Sequence, residues 1–430
     1  METIRVGLLG CGVVGGATLR ILREHADELA FRAGARLEVV KVAVRDPQKR
    51  RDVPLPDGVL TGDPHEVTTD PSIHIVVEAM GGLDPATDLI LEAIGSGKHV
   101  VTANKELLST VGGEVLSAAG VSGVDILFEA AVGGGIPIIR PLRESLAGDR
   151  VRRVMGIVNG TTNFILTRMS ELGESFEEAL AEADRLGYTE ADPSADVEGY
   201  DAAAKLAILA TLAFGSTVLA VDIHREGITR VTPADIAAAH ELGYEVKLLA
   251  VAEESEGMIA VRVHPAMLPK THPLATVRDV FNAIFVEGEN VGELMFQGRG
   301  AGGAPTASAV ASDVVEIARN IVSGGRSPTS AGYARRAEVR PPAESPVRYY
   351  MVLSVLDQPG VLAAVASTFA RHDISISSVR QEGSGDQATL VLITHLASEG
   401  GHQATFEELQ SLDVVKEIAS KMRVEGTSEA

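Results

Sequence analysis

Between Gly187 and Lys205 the chain reads GYTEADPSADVEGYDAAAK, five carboxylates (Glu190, Asp192, Asp196, Glu198 and Asp201) followed by a lysine. Lys205 opens LAILATLAF, a run that is apolar apart from Thr211. In a helix from Asp201, Asp201 and Lys205 are i,i+4 neighbours, and the lysine stands where a core begins. A buried ammonium must find partners or lose its proton, and a lysine held among acids can exchange a proton with a substrate oxygen. The same residues also suit an ordinary Asp/Lys pair at a helix start with solvated acids around it. Taken alone, they leave the two readings even.

Four further segments carry residues of chemical interest. Gly10-Cys11-Gly12-Val13-Val14-Gly15 is a GxGxxG after the apolar strand that begins at Ile4 and before a helical pattern. Its glycines allow a tight turn and close approach to a pyrophosphate at the helix N-terminus. The next strand ends in VAVRDPQKR, where Arg45 stands in place of the acid that usually meets a ribose 2′-hydroxyl. A guanidinium there favours a 2′-phosphate and hence NADP(H), while adjacent Asp46 leaves NAD(H) open. In VVTANKELL, Lys105 begins a helix at the carboxyl end of a strand, where doubly wound sheets bind ligands. In EAAVGGGIP, Glu129 precedes a glycine run that frees backbone carbonyls, a donor set for a hard cation of low charge rather than for zinc or iron. A flexible interdomain turn reads equally well.

These residues need a scaffold, and the pattern supplies an α/β one. Strands at 4–9, 37–44, 74–80, 98–103 and 124–130 alternate with helical stretches, the first running from the glycine turn to about Phe31. That is a Rossmann-type doubly wound parallel sheet over 1–136, completed by a helix at 304–322. Residues 137–303 mix helices with strands as an α+β domain with a mostly open sheet. A proline- and glycine-rich linker follows at 323–346. The tail, 348–425, repeats the βαββαβ plan of a ferredoxin-like unit, foldable apart from the rest.

Composition narrows the function. A formal net charge of −21 argues against nucleic acid, which needs a basic face. A single cysteine, Cys11, excludes a disulfide framework and multi-cysteine metal sites and fits a reducing, cytoplasmic setting. The start, METIRVGLLG, has no signal-peptide pattern. The longest uncharged apolar run, 206–221, is too short and too broken to span a membrane.

Together, the glycine turn, TANK, EAAVGGGIPII, NGTTNFIL at 159–166, GYTEADPSADVEGYDAAAKLAIL and GAGGAPTASAV at 301–310 resemble the homoserine dehydrogenases. The resemblance implies NAD(P)-dependent interconversion of homoserine and aspartate β-semialdehyde, on the route to threonine, methionine and isoleucine. It implies that 137–303 is the substrate and dimerisation domain, with Lys205 as proton donor and acceptor, Lys105 beside the nicotinamide and substrate, and Glu190 and Asp201 holding the substrate amino acid, with Asp196 in the same wall. It adds Gly187 and Gly302 to the cofactor contacts of Gly10, Gly12, Val13, Val14, Gly15 and Arg45. It places a sodium-like ion on Glu129 and the backbone of Val132, Gly134 and Ile136. The tail resembles an ACT domain, implying an amino-acid effector, threonine by pathway logic, at the turn of Asp357, Gln358 and Gly360, and a homodimer or homotetramer. With no kinase domain ahead of it, the chain reads as the monofunctional form. Two competing readings stand beside this one. One is a non-catalytic NADP-binding sensor, for which the coexistence of Lys105, Lys205 and the acids has no use. The other is a different amino-acid or semialdehyde oxidoreductase, although an aspartate semialdehyde dehydrogenase would need a nucleophilic cysteine outside the glycine turn.

Overall fold

The structure is a computed structural model that describes residues 1–51, 53, 55–56, 58–327, 335–383 and 387–426, so residues 328–334 of the expected linker lie outside the described residues. The chain divides into two compact units. The first gathers Met1–Gly160, Asp201–Ile223 and Val280–Ala337; the second gathers Thr161–Tyr200, His224–Asp279 and Glu338–Ala430.

The first unit holds a six-stranded parallel sheet in the order Leu60–Thr61, Arg36–Ala43, Thr3–Leu9, Ile75–Glu78, His99–Thr102, Ile126–Leu127. This is the doubly wound dinucleotide-binding order, with its switch point between the Thr3–Leu9 and Ile75–Glu78 strands. The strands read as near-continuous apolar runs because helices cover both faces. Ile4, Val6, Leu8, Ile75, Val77 and Val101 pack with Val310, Val314, Ile317 and Ala318 of the Gly303–Ser323 helix, the expected return of the chain onto its first domain. Two of the expected elements take other bounds. The strand read at 124–130 shrinks to Ile126–Leu127, because Glu129–Ala131 turns into a 3-10 helix with the Glu129 N–H donating to Asp313 Oδ2 at 2.8 Å. The first helix breaks at His25 into Val13–Glu24 and Ala26–Ala33, each with its own buried face. The unit also carries an antiparallel ribbon of Val151–Ile157, Phe281–Gly288 and Gly292–Arg299.

In the second unit, Tyr244–Ser255 and Met258–Pro269 form an antiparallel hairpin. The tail is the expected βαββαβ fold, with strands Pro346–Leu356, Ile376–Glu382, Gln387–Thr394 and Val415–Val424 and helices Val361–Arg371 and Glu399–Gln410. Its sheet places the first strand beside the last, then the third, then the second, all antiparallel. Met351, Leu353, Val365, Phe369, Leu390, Leu392 and Phe406 form its core. The tail does not stand apart as the linker suggested. Ala266 and Met267 of the hairpin pair in parallel with Arg423 and Val424 of the last tail strand, so one sheet runs through both.

Candidate active site

The cleft at the carboxyl edge of the parallel sheet is a cavity of about 1070 Å³ lined by the glycine turn, by Arg45, Lys49, Arg50 and Arg51, and by Gly303 and Ala304. Gly10 has φ +96°, a left-handed value that favours glycine, and a Cβ there would lie 2.8 Å from Ala79 O. At Gly15 a Cβ would come within 2.3 Å of Gly10 O, so helix and turn close on each other only through glycine, whereas the space beside Gly12 is open. Gly12 caps the Val13–Glu24 helix, Val13 stands exposed at its start, and Val14 packs into the core. Gly302 (φ +122°) caps the Gly303–Ser323 helix. These features fit a dinucleotide: bare helix N-terminal N–H groups for a pyrophosphate and four cations near the end of the second strand. Arg51 braces that loop by donating to Lys49 O at 2.7 Å and Asp46 O at 2.8 Å, and Asp46 spends one oxygen on Gln48 N.

Sequence reasoning missed the device that aligns the neighbouring strand ends. Glu78 is fully buried and looked like part of an apolar strand. Its Oε1 accepts from Met80 N at 2.7 Å and Gly81 N at 3.0 Å, and its Oε2 accepts from Thr102 Oγ1 at 2.6 Å. Thr102 Oγ1 in turn accepts from Asn104 N, and the Asn104 side chain donates to Gly82 O while accepting from Leu107 N as helix cap. The TANK segment is therefore a bolt across two strand ends that fixes Lys105 at the first helical position.

A cation at a helix N-terminus opposes the macrodipole, and Lys105 is balanced by Asp201, whose Oδ1 it meets in a close ion pair. Asp201 Oδ2 accepts from Lys205 Nζ at 2.7 Å and from Asn159 Nδ2 at 2.8 Å. Lys205 also donates to Val158 O at 2.7 Å and is 8% exposed. The ordinary surface pair is thus excluded: Asp201 and Lys205 are buried, and one carboxylate stands between two lysines that lie far apart in sequence. Burial alone would raise the Asp201 carboxyl, but Lys205 and Lys105 together hold it well below the usual carboxylate range. Lys205 uses two of its three N–H bonds on these protein partners. Asn159, the first asparagine of NGTTN, is the further site residue here, whereas Asn163 of that motif donates to Asp279 O at 2.9 Å in the second unit.

Glu129 lies elsewhere in the first unit. Its carboxylate accepts from the N–H groups of Ile138, Ile139 and Arg140 at 2.6, 2.8 and 2.9 Å. A carboxylate offers about four acceptor positions, so these three bonds leave one of them over. Gly133 and Gly134 have φ +72° and +54°, which turns that backbone. Among the described residues no group of three or more His, Cys, Asp or Glu side chains could hold a metal ion. Burial and the Glu129 charge push the neighbouring Asp313 carboxyl well up.

The remaining candidates belong to the second unit. Gly187 has φ +74° after the Phe176–Arg185 helix, Glu190 is exposed in the following loop, and Asp196 is half-buried in the Ser194–Val197 helix. In the tail, Gly360 (φ +94°) caps the Val361–Arg371 helix, Asp357 Oδ1 accepts from Gln381 Nε2 at 3.3 Å, and Gln358 is exposed. No helix among the described residues is long and apolar enough to cross a membrane.

Three family profiles match the chain: "Homoserine dehydrogenase, NAD binding domain" over residues 10–129, "Homoserine dehydrogenase" over 137–315 and "ACT domain" over 349–414. A homoserine dehydrogenase of Mycobacterium bovis is 50% identical, covering 99% of this chain and 98% of its own. The crystal structure of a homoserine dehydrogenase from Thiobacillus denitrificans superposes with a TM-score of 0.92 at 42% identity, covering 99% of both chains. A hyperthermophilic archaeal homoserine dehydrogenase in complex with NADPH superposes with a TM-score of 0.62 at 30% identity, covering 74% of this chain and 98% of its own.

Proposed function

The chain belongs to the homoserine dehydrogenase family, and we propose that it interconverts L-homoserine and L-aspartate 4-semialdehyde with NADP(H) in the cytoplasm, on the route to threonine, methionine and isoleucine. The observation that carries this reading is Asp201 standing between Lys105 and Lys205. When bound, the nicotinamide supplies or accepts the hydride. Lys205, with two N–H bonds fixed, offers the third to the substrate oxygen. In aldehyde reduction Nζ gives its proton to the developing alkoxide, and in alcohol oxidation the neutral amine takes it back. Asp201, engaged by both lysines, holds the two amines at a fixed spacing. That contribution to the substrate wall is one of positioning rather than of direct contact with the substrate ammonium, which falls to Glu190 and Asp196.

The cofactor contacts of this reading are Gly10, Gly12, Val13, Val14, Gly15, Gly187 and Gly302 for the dinucleotide and Arg45 for the 2′-phosphate, with NAD(H) as second cofactor. A sodium-like ion on Glu129 and the carbonyls of Val132, Gly134 and Ile136 would brace the glycine loop without entering the reaction. Threonine at Asp357, Gln358 and Gly360 of paired tails is the proposed feedback signal, in a homodimer or homotetramer; replacing Asp357 by Ala should abolish threonine inhibition at unchanged basal turnover. The test of the reaction is Lys205→Ala assayed with NADP and homoserine by absorbance of the reduced cofactor. Turnover should fall at least about a hundredfold with cofactor affinity retained. Turnover near that of the parent would remove Lys205 from the chemistry.

A further inference from the structure

A second cavity, of about 730 Å³, lies wholly within the second unit, between the segment after His224, the Glu399–Gln410 helix and the last tail strand. Neither the reaction nor the 357–360 turn uses it. Its floor is an ion cluster built around Arg423, a residue only 4% exposed. The guanidinium holds Glu399 through two bonds of 3.0 Å and Glu226 through one of 2.8 Å, and it lies over the Tyr349 ring at 5.3 Å. The Tyr349 hydroxyl donates to Glu399 at 2.9 Å. The floor is therefore fixed in geometry and closed to rearrangement at low cost, since breaking a buried pair strands a charge.

The mouth is different. Lys421 and Arg230 line it, and among the described residues no carboxylate pairs with either; the Lys421 ammonium instead lies 4.5 Å from the centroid of Phe406. Glu226 meets Arg423 and His224 through Oε1, and its Oε2 makes no hydrogen bond among the described residues. The lining acids, Glu226, Asp235 and Glu399, equal in number the lining bases, Arg230, Lys421 and Arg423. A polyanion such as a phosphate ester would meet as many acids as bases. A molecule with one carboxylate and one ammonium group matches both signs: the carboxylate goes to Lys421 and Arg230, the ammonium to Glu226. The volume suits a small metabolite.

We propose that this cavity is a second amino-acid site, separate from the turn at 357–360, for a free α-amino acid. The site is continuous with the sheet seam where Ala266 and Met267 pair with Arg423 and Val424, so its occupant would stiffen the join between tail and hairpin.

The experiment uses the full-length protein and each of the twenty proteinogenic amino acids as probes, read by calorimetry. The proteins are the parent, the double charge reversal Arg230→Glu/Lys421→Glu, the charge-conserving Arg230→Lys/Lys421→Arg, and Asp357→Ala. At least one amino acid should bind the parent and lose tenfold or more in affinity on charge reversal, with the charge-conserving variant and Asp357→Ala binding it nearly as the parent does. Basal turnover should be the same in the parent and in the two Arg230/Lys421 variants. Binding that responds to Asp357→Ala but not to charge reversal belongs to the turn and overturns the cavity proposal while leaving the reading of the turn intact. No amino acid whose affinity responds to charge reversal overturns it as well.

Discussion

Replacing Asp201 by Asn keeps the shape of the side chain and removes the charge shared by two lysines. At 2.7 Å and an effective dielectric constant of about 20, the gross attraction of the Asp201–Lys205 pair is about 6 kcal/mol. Part of that offsets desolvation, and removing one partner of such a buried pair costs about 3–5 kcal/mol; the Lys105 pair adds less, because that lysine is partly solvated. In the variant the Lys205 ammonium keeps only Val158 O and the facing amide, and burial without a counter-charge disfavours the charged form. Aldehyde reduction, which needs the proton, should slow by about 10²- to 10⁴-fold, and its basic limb should move to lower pH. Homoserine oxidation, which needs the neutral amine, should lose less at the same pH. The assay is reduced-cofactor absorbance in both directions between pH 6 and 10. Equal losses in the two directions with an unmoved pH profile would refute the assignment of Lys205 as the group whose charge Asp201 controls.

Arg45→Asp should move the ratio of kcat/KM for NADP against NAD toward NAD, because it exchanges a phosphate partner for a ribose-hydroxyl acceptor; an unmoved ratio would reduce Arg45 to a surface charge. Burial, aided by the Arg278 charge, lowers Lys247 from 10.5 to about 8. Between those values the unfolded chain holds a proton that the folded chain has released, so folding stability rises with pH through this window and is level below it. Lys247→Met should abolish that share of the rise, seen as a parent-minus-variant difference in thermal midpoint that changes between pH 7.5 and 10. A constant difference would mean that the lysine is not titrating there.

What sequence made legible was local. The glycine turn, Lys105 at a helix start and the i,i+4 pair of Asp201 and Lys205 each sit within a few residues of chain, and each is where the pattern put it. The bond from Lys105 to Asp201 spans two separate stretches of chain, and no local period encodes it. Glu78 was hidden for a related reason: one carboxylate at the end of an apolar run reads as a strand end until Thr102 and the N–H groups of Met80 and Gly81 are seen around it. The Gly292–Arg299 strand carries little apolar alternation because most of its side chains are at least partly solvent-exposed, and so it left no signal. The pattern at 124–130 reads as one strand because Glu129 stands among apolar neighbours, whereas the bond from its N–H to Asp313 turns the chain there.

The Gly303–Ser323 helix lies against a sheet whose last strand ends at Leu127, roughly 175 residues earlier in the chain. At ribosomal rates of about 5–20 residues per second, that interval lasts roughly 9–35 s. Throughout it, the nascent first domain shows water and neighbouring chains the apolar face that Val310, Val314 and Ile317 will later cover. The sheet of the dinucleotide fold is thus complete in sequence long before it is sealed, and its apolar face stays open until the helix arrives.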